Sequence, residues 1–208
     1  MDKRISKPKQ IRSKKTMENL LNTAQEMLID STFEKANIQE IVKRANSSIG
    51  SFYSLFKSKN NLLESLLDRY QNWLIDLAKE FNKDKKNLVP TFTGRAELFI
   101  DEYIKINKQE IGLLRAMFIY QITRKDSISH FRKEKVQEYE NEIFKYFEPC
   151  TNEITHPNPL VALGFILDLM DIFIGEKIMF SKFESKTDYQ FLKEECLRLF
   201  LNYLSVKH

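Results

Sequence analysis

Apolar residues recur at intervals of three and four along most of this 208-residue chain, the period of a helix that buries one face. From Ser13, the positions Met17, Leu20, Leu21, Ala24, Met27 and Leu28 share a face, predicting a first helix that ends at DSTF. Asn37 with Glu40 three residues on is a capping-box start for IQEIVKRA, whose Ile38, Ile41, Val42 and Ala45 form the stripe of a short second helix. The chain must then turn sharply at Asn46, one of the few non-glycine residues that tolerate a left-handed backbone. Ser47 or Ser48 can cap a third helix from Ile49 to about Phe56. A fourth begins near Ser58 and runs through NNLLESLLDRYQNWLIDLAKEF until KDKKN breaks it. Beyond Pro90 the pattern predicts four or five longer helices, at about 93–108, 110–125, 129–148, 158–181 and 187–206, with NEITHPNP (152–159) the clearest late loop.

Composition agrees with this reading and narrows it. Five Gly and five Pro leave little punctuation for hairpins or barrels, so the chain reads as all-α. The order of short helix, tight turn, short helix and long helix is that of a helix-turn-helix. Cys150 and Cys196 show no metal-ligand spacing and read as reduced core thiols. His130, His156 and His208 are too scattered to form a site. No P-loop, dinucleotide fingerprint, HExxH or nucleophile elbow is present, so neither catalysis nor a cofactor or metal is expected. No apolar leader follows the first residues. The run LVALGFILDLMDIFIG is interrupted by Asp168 and Asp171 and is short of a spanning length, so a soluble, cytoplasmic protein is expected.

The net charge of +4 is unevenly placed. Lys3, Arg4, Lys7, Lys9, Arg12, Lys14 and Lys15 against Asp2 give the first fifteen residues +6, leaving −2 for the remainder. Such an arm is either a solvated tail or a nucleic-acid contact. The stretch RANSSIGSFYSLFKSK (44–59) has a second peculiarity: it is rich in serine and carries no acid. Phe52 and Phe56, four apart, share a face and suit packing. The opposite arc presents Gly50, Ser51, Tyr53 and Ser54, with Ser48 and Ile49 at its leading end. A small, uncharged face of this kind lets a helix seat deeply in a major groove, where hydroxyls meet bases or phosphates and Ile or Tyr meets a thymine methyl; Lys57 and Lys59 flank it.

The segment FEKANIQEIVKRANSSIGSFYSLFKSKNNLL, with its G-x-F-Y-x-x-F-x-x-K core, resembles the DNA-binding signature of TetR-family (tetracycline-repressor-like) transcriptional regulators over about residues 13–65. The resemblance implies an N-terminal three-helix helix-turn-helix DNA-binding domain with the basic arm (1–58) and a C-terminal helical effector-binding and dimerisation domain (59–208). It also implies a homodimer on a palindromic double-stranded DNA operator, released when a small molecule fills the second domain. Groove and phosphate contacts carried over from the family fall on Asn37, Ser48, Ile49, Gly50, Ser51, Tyr53, Ser54 and Lys59. The chain departs from the family in having Asn46-Ser47 where Gly-Val is usual at the turn, and in lacking an Arg or Gln base reader on the third helix.

For the effector, Trp73, Phe99, Tyr103, Met117, Phe118, Tyr120 and Phe144 on helices four to seven are the aromatic and Met residues suited to a lipophilic or aromatic molecule. Dimerisation is expected through the last two helices, by a stripe of Leu163, Leu167, Met170 and Ile174 and another of Leu192, Cys196, Leu199 and Tyr203. Asp168 and Asp171 face solvent, an interface rim or a ligand. The alternative function is a constitutive helical DNA-binding or protein-interaction factor without an effector.

Overall fold

The computed structural model describes residues 7–30, 33–83, 89–123, 128–180 and 186–207, except the side chains of 7–11, 117, 119–123, 128–133, 179–180 and 186–187. Among the described residues the fold is all α-helical: α1 (Lys7–Ile29), α2 (Ile38–Arg44), α3 (Ile49–Leu55), α4 (Lys59–Lys83), α5 (Phe92–Gln109), α6 (Ile111–Thr123), α7 (Ile128–Phe147), α8 (Pro159–Phe180) and α9 (Lys186–Leu204). A 3-10 turn, Glu148–Glu153, follows α7. The first helix begins at Lys7, nearly two turns ahead of Ser13. Its added turns carry no apolar stripe, so periodicity could not register them, yet Pro8 costs nothing in a first turn whose N–H groups have no helical acceptor.

The chain divides into two compact units, Met1–Tyr70 and Gln71–His208, with the division inside α4. The first half of α4 belongs with the N-terminal helices for a visible reason: Arg69 donates to Asn22 Oδ1 at 2.7 Å and to Gln25 Oε1 at 2.6 Å on α1. In this unit α1, α2 and α3 pack on one another around Leu20, Met27, Ile41 and Phe52, all essentially sealed from solvent. A seven-residue helix such as α2 or α3 is too short to hold by itself, and burial of its apolar face supplies what propensity cannot.

In the second unit α5 packs against α9, α8, α7 and α6, and α8 also packs on α9 and α6. At its centre Phe92, Phe147 and Phe200 are fully buried with ring centroids 5.1 to 5.9 Å apart. Offset aromatic contacts of this kind add to the burial of the rings themselves. Buried Arg95 is satisfied by carbonyls: its Nε donates to Val89 O at 2.9 Å, its Nη1 to Tyr146 O, and Tyr146 Oη donates back to Arg95 O at 3.2 Å. Cys150 and Cys196 are both buried and free, and burial pushes both thiols up, Cys196 to about 12. Among the described residues no helix is long and apolar enough to cross a membrane.

Candidate nucleic-acid interface and interior cleft

The turn between α2 and α3 is built as its sequence dictates. Asn37 Oδ1 accepts from Glu40 N at 3.0 Å while Glu40 Oε2 accepts from Asn37 N at 2.9 Å, a complete capping box that starts α2. Asn46 takes φ 46°, the left-handed conformation that reverses the chain. Ser48 then caps α3: its Oγ accepts from Ser51 N at 3.1 Å and lies 2.9 Å from Ser51 Oγ. The Ser47 hydroxyl, where the family usually has an apolar residue, is buried with no hydrogen-bond partner.

The two faces of α3 differ sharply. Phe52 and Phe56 are buried, whereas Ser48, Ile49, Gly50, Tyr53 and Ser54 are exposed and Ser51 is half-buried. Tyr53 leaves 55% of its surface open and meets the Phe52 ring edge-on. The Ser54 hydroxyl donates back to Ser51 O at 2.8 Å. Gly50 is not required by the fold: its φ is ordinary, and the nearest atom to an added Cβ would be Ser48 Oγ at 4.0 Å. Gly94 contrasts with it, since a Cβ there would meet Val89 Cγ1 at 2.2 Å. A helical glycine costs about 1 kcal/mol relative to Ala, and at position 50 nothing inside the protein explains that cost.

Lys59 opens α4 with its ammonium turned inward. Nζ donates to Glu34 O and Ala36 O, both at 2.9 Å, and stands 4.7 Å from the centroid of the Phe33 ring. Burial lowers its pKa, with Glu34 and Glu40 acting in the opposite direction. The side chain thus ties the start of α4 to the turn that leads into α2. Asn37 is exposed, with its Oδ1 engaged in the cap. Of the basic arm, residues 1–6 and the side chains of Lys7 and Lys9 lie outside the described residues; Arg12, Lys14 and Lys15 are exposed on α1.

Residues 20–66 match the family described as bacterial regulatory proteins, tetR family. The match runs from the second half of α1 through α2 and α3 into α4. The chain is also 35% identical over 72 residues to the uncharacterized HTH-type transcriptional regulator YvdT of Bacillus subtilis (strain 168), a match covering 35% of this chain and 36% of that relative. The chain therefore spans about a third of the length of the curated relative it matches. Across nearly its whole length it has the fold of solved TetR-family proteins. One is a candidate TetR-family transcriptional regulator from Mesorhizobium loti MAFF303099, with TM-score 0.71 and 18% identity over 92% of this chain and 97% of that one. Another is the TetR-family repressor FadR of Thermus thermophilus in complex with lauroyl-CoA, with TM-score 0.63 and 19% identity over 92% and 96%. These relatives are regulators, not enzymes.

The second unit holds a cleft of about 450 Å³, counting the part open to solvent, between the last turns of α4 and the helices α5 and α7. Leu74, Leu77, Ala78 and Phe81 line it from α4. From α5 come Phe99, Glu102, Tyr103 and Ile106, and from α7 Tyr139, Glu142, Ile143 and Tyr146. Its ends are tied by Lys79 to Glu138 at 2.6 Å and by Asn82 Nδ2 to Glu142 Oε2 at 3.1 Å. Lys145, at 2.7 Å, and Asn82 hold the Glu142 carboxyl below its usual range. Tyr103 Oη donates to Asp171 on α8, and burial pushes the Tyr103 and Tyr139 phenols well up.

Phe99 and Tyr103 of the sequence candidates meet in this cleft. Trp73 and Phe118 are about two-fifths exposed, at 41% and 39%, and Phe144 packs toward α8, with its Cζ 3.5 Å from where a Cβ on Gly164 would lie. The side chains of Met117 and Tyr120 lie outside the described residues. The α7 wall escaped the sequence reading although Tyr139, Ile143 and Tyr146 stand at helical spacing, a signal that was there to be read.

The expected dimer stripes need correction. Leu163, Met170, Ile174, Leu192 and Cys196 are buried in the core of their own unit. The faces of α8 and α9 left open carry Val161, Phe165, Leu169 and Ile172, and Phe191 together with Leu199, the one exposed member of the expected α9 stripe. Asp168 and Asp171 are exposed on α8, and Asp171 is the acceptor for Tyr103.

Proposed function

We propose that the chain is a DNA-binding transcriptional repressor that acts as a homodimer on a palindromic operator and is released by a small lipophilic or aromatic effector. The exposed face of α3 carries the reading. Ser48, Ile49, Gly50, Ser51, Tyr53 and Ser54 form an uncharged surface, and the fold has no use for the glycine at its centre. A major groove does, because backbone and hydroxyls must approach base edges closely. Asn37 at the α2 N-terminus is placed for a phosphate, and Lys59 supports that contact by holding the turn ahead of it. The cleft in the second unit is the effector site. α4 contributes its first half to one unit and its last turns to the cleft wall, so it is the element through which a ligand that prefers the DNA-incompetent state shifts the population.

Solved relatives lend the effector half of this reading some weight, since Thermus thermophilus FadR holds lauroyl-CoA. The test is fluorescence anisotropy of DNA from upstream of the chain's own coding region, titrated at several salt concentrations with and without compounds that raise the melting temperature. Specific binding that survives excess unrelated DNA and weakens on adding a stabilising compound is expected. Equal affinity for unrelated DNA defeats the repressor reading, and specific binding that no stabilising compound weakens leaves the constitutive factor.

A further inference from the structure

Among the described residues, the cleft's polar lining consists of two carboxylates and three tyrosine hydroxyls. Glu102 and Glu142 contribute carboxylates from opposite walls, and no Lys, Arg or His is among the lining residues. The Tyr103 hydroxyl already donates to Asp171 and that of Tyr146 to Arg95 O, so each offers an incoming molecule lone pairs only. Between these groups lie aromatic rings, whose faces carry negative charge density and attract cations. Lys105 and Lys145 pair with the two carboxylates from outside; the Glu102 pair is the more open to water, with Lys105 57% and Glu102 36% exposed, and such a pair yields readily to a competing cation. Asp171 behind Tyr103 adds a further negative charge to the same region.

From this inventory we infer that the cleft selects an apolar molecule bearing an ammonium group, and discriminates against carboxylates and acyl-CoA. The inference rests on the effector reading above and specifies its chemistry. An apolar body fills the space among Leu77, Phe81 and Phe99, while the ammonium donates to Glu102 or Glu142 and faces the tyrosine rings. A carboxylate or phosphate in the same place meets two like charges and, among the described lining residues, no cationic side chain. The fold shared with an acyl-CoA-binding relative does not carry that ligand over, because at 19% identity the lining is free to differ.

The experiment uses one apolar body with three heads: 4-phenylbutylamine, 4-phenylbutanol and 4-phenylbutyrate, each titrated calorimetrically into the full-length protein, with lauroyl-CoA as a fourth ligand. The amine is expected to bind about tenfold or more tighter than the carboxylate, with the alcohol between, since charge-assisted contacts exceed neutral ones. Glu102→Gln combined with Glu142→Gln, which removes both carboxylates the ammonium could meet, should narrow the amine-to-alcohol ratio severalfold. Equal or tighter binding of 4-phenylbutyrate or lauroyl-CoA overturns the inference, as does failure of the amine to bind or an unchanged ratio in the variant. Adding the amine to the operator complex separates the two readings: tight, head-selective binding without release sinks the ligand-released repressor and leaves the selectivity standing.

Discussion

Lys59 shows how a residue's role depends on what its donors already hold. An ammonium has three N–H groups; two carbonyls and the Phe33 ring occupy the space around this one. Motif resemblance assigns Lys59 to a DNA phosphate, and its place at a helix start, against the dipole, fits that assignment from sequence. The structure supplies a different reason for a cation there: the carbonyls of Glu34 and Ala36 need a donor where the chain turns into α2. Operator affinity of Lys59→Gln should therefore fall, together with the melting temperature, while the slope of log affinity against log salt stays at the wild-type value. A slope flattened by about 0.9 for each half-site would instead mean that the charge reaches a phosphate. A sequence cannot distinguish these, because a lysine's reach of several ångströms covers both the turn behind it and the DNA in front.

At the scale of the element, α3 was readable in nearly every detail. Phe52 and Phe56 four apart fix its inner face, Ser48 fixes its start, and Asn46 fixes the turn before it, because each is a local consequence of backbone geometry. Its two faces make opposite predictions. Phe52→Ala should cost about 3 to 5 kcal/mol of folding stability by chemical denaturation, being a large ring removed from a sealed core. Gly50→Ala should raise stability by about 0.5 to 1 kcal/mol, since the new methyl meets nothing. The same change should weaken operator binding by holding α3 away from the groove floor. A Gly50→Ala protein that is more stable and binds its operator as well as the wild type would show that this face does not approach DNA closely. The cleft was less legible than α3. On α4 and α7 the residues that line it share the apolar periodicity of core residues, so the pattern marks Leu77 and Ile143 as inward-facing without saying that the space before them is open.

For the whole molecule, the instructive failure is α8. Its sequence, PLVALGFILDLMDIFIGEKIMF, is apolar on nearly every side, so a period of 3.6 can be laid over it in more than one phase. One phase, Leu163, Met170 and Ile174, is the core of its own unit; the other, Val161, Phe165, Leu169 and Ile172, faces outward, with Val161 74% and Ile172 71% exposed. A helix apolar all round is one buried all round, and the open half requires a cover. The two-fold pairing of a second copy is the simplest cover, because α9 presents Phe191 and Leu199 on its own open side and an isologous interface uses the same patch twice. Light scattering at micromolar concentration should give about twice the 24.7 kDa of the chain. Phe165→Glu with Ile172→Glu should halve that mass and keep the helical circular dichroism, since Ile172 is 71% and Phe165 53% exposed in the single chain and neither is part of the sealed core. It should also cost operator affinity, because each half-site is then bound separately and the second no longer gains from a high effective concentration. Leu163→Ala, on the inner phase, should instead lower the melting temperature through a core cavity and leave the mass at the dimer value wherever the protein is folded. A wild-type chain that scatters as a monomer, or a doubly charged variant that remains a dimer, would place the two-fold contact elsewhere.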